Sequence, residues 1–147
     1  MSKPHIEVIA RGLLLRDGEA LLCRDVAAGY LYLPGGHVEF DEPAGAALER
    51  EFVEECGLQV RAGPLLLVTE ERFEQKRRHH ELNLVFHVEP ARGPAPEAVA
   101  SRESEITFEW IPLAAAQEVD VRPESVRAWL AAGGRTEGLG AGWAGGV

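Results

Sequence analysis

Four acidic residues and one arginine crowd into one short stretch of the chain, Glu49, Arg50, Glu51, Glu54 and Glu55. In an α-helix positions i, i+3 and i+4 share a face, so Glu51, Glu54 and Glu55 fall within one arc of roughly 100°. Like charges so placed destabilise a helix by a few tenths of a kcal/mol per pair. They also stand at its C-terminal end, where the helix dipole disfavours anions. A hard divalent cation answers both objections, because Mg²⁺ takes oxygen ligands and is held by a few carboxylates together with substrate phosphates. Gly35 and Gly36 lie just upstream, and a backbone free of side chains lets a phosphate come close. A cation there could bridge phosphate oxygens, activate water and neutralise transition-state charge. The competing reading is a solvated acidic face, the ordinary fate of an isolated E-x-x-E-E.

The elements that must position these groups can be read around them. The helix starts near Pro43, a residue suited to a first helical turn, and Gly57 fits its C′ position. Asp41 and Glu42 complement the positive end of its dipole, and Leu48, Phe52 and Cys56 make an i, i+4, i+8 stripe that can pack on a sheet. Upstream, residues 6–15 are apolar-rich, and Arg16-Asp17-Gly18-Glu19 turns the chain into residues 20–23 as a hairpin, with Asp-Gly supplying positive φ. Residues 30–33 form a short strand ended by Pro34. Downstream, residues 58–61 and 65–70 read as two strands around Gly63-Pro64, and the charged residues 71–79 read as a loop. Residues 82–88 resume β character, 90–96 are turn-rich, and 106–111 form a strand closed by Pro112. A last helix runs from Pro123 through Leu130, with Val126, Trp129 and Leu130 as apolar contacts. Strands with one helix midway and another at the end predict an α/β fold, a mixed sheet covered on both faces.

The 147 residues suit one domain with one core, residues 1–132. The last stretch, 133–147, holds 7 of the 16 glycines and is expected to be a flexible tail, which Trp143 could dock. No apolar run approaches a membrane span, and the N-terminus lacks the apolar core of a signal peptide. Cys23 and Cys56 fit neither a metal-ligand spacing nor a disulfide framework, which points to reduced core thiols in a cytoplasmic protein. A formal charge of −9 argues against a nucleic-acid polymer as partner. Arg72, Lys76, Arg77 and His80 nevertheless cluster, and could grip a small phosphorylated ligand. Tyr30, Tyr32, Phe40 or Phe73 could stack on a base.

Taken whole, the stretch follows G-x5-E-x7-R-E-U-x-E-E-x-G-U, with U a bulky apolar residue. It is met by Gly36, Glu42, Arg50, Glu51, Phe52, Glu54, Glu55, Gly57 and Leu58. Chance would give this on the order of once per billion starting points, which sets the solvated-face reading aside. The stretch resembles the Nudix box of the Nudix hydrolases, departing only where Phe52 stands in place of Ile, Leu or Val.

The resemblance implies an α/β/α sandwich and Mg²⁺- or Mn²⁺-dependent hydrolysis of a nucleoside diphosphate derivative, by water attack on phosphorus. It implies Glu51, Glu54 and Glu55 as metal ligands, with the Gly35 carbonyl as a further one. Arg50 would orient Glu51, and Glu42 would support the loop–helix geometry. The general base stays open between Glu54 or Glu55 and a glutamate before a late Trp-bearing strand. Glu105, five residues before Trp110, fits that place best; Glu103 is next, and Glu81 follows. The downstream proline of many ADP-ribose hydrolases and the Ser-Gln-Pro-Trp-Pro-Phe-Pro run of NADH hydrolases are absent. A homodimer is common among similar proteins. The alternatives are a nucleotide-binding or regulatory module that does not cleave, and a pyrophosphohydrolase of RNA 5′ ends.

Overall fold

The structure, a computed structural model, describes residues 3–135 and 142–145, the latter as backbone. Its organising strand is β1 (Glu7–Arg16), joined to β2 (Glu19–Asp25) by Asp17 and Gly18. Both turn residues have positive φ, 49° and 77°, the twist that a two-residue hairpin needs. Only the end of β1 pairs with β2, at Leu15↔Ala20 and Arg16↔Glu19. The rest of β1 pairs in parallel with β6 (Arg77–Pro90) on one side, and antiparallel with β4 (Gly35–His37) on the other. Beyond β6 come β5 (Val60–Gln75), antiparallel, and β8 (Gly142–Gly145), parallel to β5. β2 also pairs with β3 (Leu31–Tyr32) and, along its length, with β7 (Ile106–Pro112). The result is an eight-stranded mixed sheet.

Alternation along the strands sends side chains to two faces. Leu13, Leu22, Leu67 and Val85 meet Val126 and Leu130 of α2 (Glu124–Ala131). Ala10, Leu14, Leu21 and Val88 meet Leu48 and Phe52 of α1 (Ala44–Cys56). The expected α/β/α sandwich is therefore the fold, with a 3-10 helix, Leu113–Glu118, leading toward α2. Phe52, the residue that departs from the box pattern, is fully buried. A β-carbon on Gly12 would stand 2.8 Å from the Phe52 ring. The missing side chain on β1 thus makes room for the larger one on α1.

Three expectations need correction. Residues 71–79 are no loop: β5 runs on to Gln75, Lys76 turns the chain with φ 63°, and β6 begins at Arg77. The arm is held by cross-strand partners such as Glu74↔Arg78 and Phe73↔His79, the two rings stacking 4.8 Å apart and 9° from parallel. Opposite charges and stacked rings across a strand pair stabilise a ribbon that has little core beneath it. Residues 58–61 and 65–70 are not two strands, since β5 is continuous from Val60 with register shifts between Ala62 and Leu67. Glu49 supports that irregularity by accepting the Ala62 N–H at 2.9 Å. Gly35 and Gly36, which a Gly-rich loop leading into the helix would leave unpaired, instead pair with Arg11 and Ala10 as part of β4. Of the Gly-rich stretch 133–147, residues 136–141 and 146–147 lie outside the described residues, while 142–145 join the sheet.

Candidate active site

The sequence sets the geometry of the α1 terminus locally. Gly57 takes φ 73° and donates its N–H to the Val53 carbonyl at 3.0 Å, which closes the helix in the left-handed conformation glycine accepts. Arg102 then approaches from the segment before β7. Its backbone N–H donates to the Glu55 carbonyl at 2.7 Å, and its guanidinium donates to the Val53 carbonyl at 3.3 Å. A cation therefore sits where the dipole is negative.

At the other side of the cluster Arg50 joins the carboxylates. It donates twice to Glu42, at 2.8 and 3.0 Å, and once to Glu51 at 3.1 Å. It also reaches both oxygens of Glu54, at 3.2 and 3.3 Å, and the His37 carbonyl at 3.2 Å. Hydrogen bonds from Arg50 hold the Glu42 carboxyl down at about 2. One guanidinium thus ties the loop before α1 to its last turns, as a planar fork with five donors can. Gly36 completes the packing, because a β-carbon there would stand 2.5 Å from one Glu51 oxygen and 2.7 Å from the other. At Gly35 a β-carbon would run into the Ala10 carbonyl.

Glu55 differs from its neighbours. Its Oε2 is buried with no hydrogen-bond partner among the described residues. Burial, and then the negative charge of Glu51, push its carboxyl up to about 8; a backbone hydrogen bond from Gly35 works the other way. An orphaned carboxylate oxygen beside a second carboxylate is a donor set that suits a hard cation. The residues present fit the divalent ion that the sequence reading calls for. Glu51 and Glu55 line the cavity described next, whereas Glu54 lies on Arg50 with its side chain 53% exposed.

The cavity is about 840 Å³ and runs from Gly35, Gly36, Glu51 and Glu55 across the sheet to the start of α2. Arg72 and Phe73 line it, as do Tyr30 and Tyr32; Lys76, Arg77, His80 and Phe40 do not. Lys76 is the turn of the arm, Arg77 donates to Glu7 at 3.1 Å, and His80 pairs with Glu70 at 2.9 Å. Phe40 is fully exposed. Glu105 is exposed at the start of β7, outside the cavity lining. Of the two glutamates there, Glu103 is the one whose charge acts on Glu55. The sequence reading missed Arg11, Glu71, Asn83 and Arg122 in the cavity. On β1 the alternation carried a signal for Arg11, a cation between Ile9 and Leu13 on one face; Asn83 shares its β6 face with Glu81 and His87 and carried none.

Glu7 anchors the rim. Its carboxylate is almost wholly buried and accepts from His37 at 2.9 Å and from Arg77 and His79 at 3.1 Å each. Burial pushes its carboxyl up, but those hydrogen bonds outweigh it and hold the group at about 2. Glu7, His79 and Glu81 have ligand atoms all within 4.8 Å of one another, a group that could hold a metal ion. The Arg77 guanidinium on Glu7 competes for that place, and His79 Nε2 faces the Gln75 carbonyl at 3.1 Å. At the box end Glu55 Oε2 has no hydrogen-bonded guanidinium on it among the described residues.

The NUDIX domain family model matches residues 3–130. Among solved structures, a MutT protein from Methanosarcina mazei Go1 aligns at 24% identity and TM-score 0.68, over 88% of this chain and 93% of that one. An ADP-ribose pyrophosphatase from Streptococcus suis 89-1591 aligns at 16% and 0.61, over 93% and 98%. A UDP-X diphosphatase aligns at 16% and 0.62, over 97% and 69%. These likenesses are of fold. No curated protein matches the chain in sequence. No helix among the described residues is long and apolar enough to cross a membrane.

Proposed function

The chain belongs to the NUDIX domain family, and from that premise we propose that it hydrolyses the diphosphate linkage of a nucleoside diphosphate derivative. The observation that carries this reading is the pairing of Glu51 with the orphaned oxygen of Glu55 at one end of a cavity large enough for a nucleotide. That an ADP-ribose pyrophosphatase and a UDP-X diphosphatase share the fold supports the reaction class.

Glu51, Glu54, Glu55 and the Gly35 carbonyl would hold Mg²⁺ or Mn²⁺, which when bound supplies positive charge to phosphate oxygens and to the transition state. The chain's own residues do the rest. Gly35 and Gly36 line the cavity beside Glu51, where the diphosphate can lie against β4. Arg50 fixes the Glu51 and Glu54 carboxylates through the hydrogen bonds given above, and Glu42 fixes Arg50. Arg72 at the cavity wall offers a guanidinium to a phosphate. Water adds to one phosphorus, the bridging P–O bond breaks, and the attacking water's proton passes to a carboxylate. Glu55 on α1 is one candidate for that role and Glu103, whose charge acts on Glu55, is another; Glu105 on the same segment is the third, and like Glu103 it is exposed outside the cavity lining.

The test is a screen of nucleotide sugars, dinucleoside polyphosphates, nucleoside triphosphates and ADP-ribose with Mg²⁺ or Mn²⁺, with both products identified. Glu54→Gln and Glu55→Gln are each expected to lower kcat/KM by about a hundredfold or more while the fold is kept. Full activity in both variants would overturn the reading. Tight binding with no turnover across the whole panel would favour a binding module instead.

A further inference from the structure

The end of the cavity away from the box carries an arrangement that phosphate chemistry does not use. Glu7, Glu81 and Glu71 lie in one row across β1, β6 and β5, since Glu7 pairs with Glu81 and Glu81 with Glu71. Like charges directly opposite one another destabilise a sheet, so each needs a partner. Glu7 has its three donors, and Glu71 Oε1 accepts the Ser125 hydroxyl at 2.7 Å. Among the described residues Glu81 has no cationic partner; its hydrogen bond is from the Asn83 amide at 3.5 Å, the outer limit of such a bond. Burial, followed by the charge of Glu81, pushes the Glu71 carboxyl up after allowing for the Ser125 bond.

Asn83 is the second observation. It lines the cavity yet is only 3% exposed. Its Oδ1 accepts from Arg11 Nε at 3.4 Å. Arg11 can only donate and the Glu81 carboxylate can only accept, so the orientation of the amide is fixed with Nδ2 toward Glu81. An amide nitrogen carries two hydrogens, and one long bond leaves donor capacity in a buried wall. Buried polar groups are as a rule satisfied. Side by side, the wall therefore presents an N–H donor at Asn83 and carboxylate acceptors at Glu81 and Glu71.

We propose that Asn83, Glu81 and Glu71 read the amidine edge of a nucleobase, in which an exocyclic amine adjoins an unprotonated ring nitrogen, as in adenine and cytosine. The ring nitrogen accepts from Asn83 Nδ2. One amine hydrogen goes to Glu81 and the other to Glu71, which places a donor between the two facing carboxylates. Uracil and hypoxanthine fail on both counts, since they set a carbonyl against Glu81 and a ring N–H against the Asn83 donor. A site built to bond a polar edge rejects the analogue that lacks it far better than an apolar pocket rejects an added group. The proposal rests on the nucleotide reading above and names the base that reading leaves open.

Equilibrium binding to the full chain, by calorimetry in EDTA, separates this from the hydrolase reading. The probes are two matched pairs, CDP with UDP and ADP with IDP, each differing at the edge. The amine-bearing member is expected to bind about tenfold to a hundredfold more tightly, the range of hydrogen bonds to charged groups. In Glu81→Gln that ratio is expected to fall to about threefold or less through weaker binding of CDP and ADP alone. If that variant fails to fold by circular dichroism, Glu71→Gln with the same four probes takes its place. Equal binding within both pairs in the unaltered protein overturns the proposal, as does a ratio unchanged in the folded variant. Hydrolysis without base preference sinks this proposal alone; base preference with no hydrolysis of any substrate sinks the hydrolase reading alone.

Discussion

Replacing Glu55 by Gln tests whether the box carboxylates are held at a cost to the fold. In the cation-free protein the Glu55 carboxyl is pushed from its ordinary 4.5 up to about 8, by burial first and by Glu51 second. A carboxyl raised in the folded state binds its proton more tightly there than in the unfolded chain. Its contribution is therefore neutral below about 4.5 and increasingly destabilising as pH rises toward about 8. From 4.5 to neutral pH is a span of 2.5, and at about 1.4 kcal/mol per pH unit Glu55 costs the fold about 3 kcal/mol at pH 7. Glutamine keeps the shape and can still accept from Gly35, but has no charge to desolvate.

Differential scanning calorimetry in EDTA at pH 4.5, 7 and 8.5 reads this directly. Glu55→Gln is expected to melt close to wild type at pH 4.5 and about 6–12 °C higher at pH 7, taking 2–4 °C per kcal/mol for a chain of this size. At pH 8.5 the gap should be wider still. Added Mg²⁺ should then raise the wild-type melt by ligand linkage and leave the variant largely unmoved. A variant that melts at or below wild type at pH 8.5 in EDTA refutes the reasoning. So does a difference that does not change with pH.

Two further perturbations probe the surroundings of the site. Gly36→Ala sets a β-carbon against both Glu51 oxygens, so kcat/KM on a substrate found in the screen is expected to fall about a hundredfold, with a melt within a few degrees of wild type; an unchanged kcat/KM would show that Glu51 can move freely. Glu7→Gln removes a carboxylate that its three donors hold at about 2 against burial, and because a depressed carboxyl stabilises the fold above its unfolded value, urea titration should find wild type about 3 kcal/mol more stable at pH 7. That advantage should shrink as pH falls from about 4.5 to about 2, and an advantage constant across that range would point to packing instead of charge.

What was legible in the sequence was what is locally encoded. The Asp17-Gly18 turn, the Gly57 helix stop and the α2 stripe of Val126 and Leu130 depend on neighbouring residues, and the structure shows each where the spacing puts it. The arm at 71–79 was misread because charge was taken as a loop signal. A two-stranded ribbon exposed on both faces shows no apolar alternation, so Glu74↔Arg78 and the Phe73–His79 stack could not be seen before the pairing was known. The same limit hid the rest of the cavity wall. Arg11, Asn83 and Glu71 lie on three strands, and the registers of β1 on β6 and of β6 on β5 bring them to one wall. Registers between distant segments follow from the packing of the whole core.

The acidic end of α1 can now be argued more narrowly than its composition allowed. Three glutamates there, Glu51, Glu54 and Glu55, raised two objections: like charges repel each other, and a helix C-terminus disfavours anions. The structure answers most of this without a metal ion. Arg50 takes up Glu42, Glu51 and Glu54, Glu49 is spent on the Ala62 N–H, and Arg102 covers the last carbonyls. Within this cluster the remainder is Glu55 Oε2, buried with no hydrogen-bond partner among the described residues, where burial and the Glu51 charge outweigh the opposing charge of Arg11. A protein relieved of that one charge should be more stable and less active at once. The opposing pH-dependent melt and hydrolysis of Glu55→Gln therefore distinguish a cation site from an acidic helix face, because a solvated glutamate would change neither.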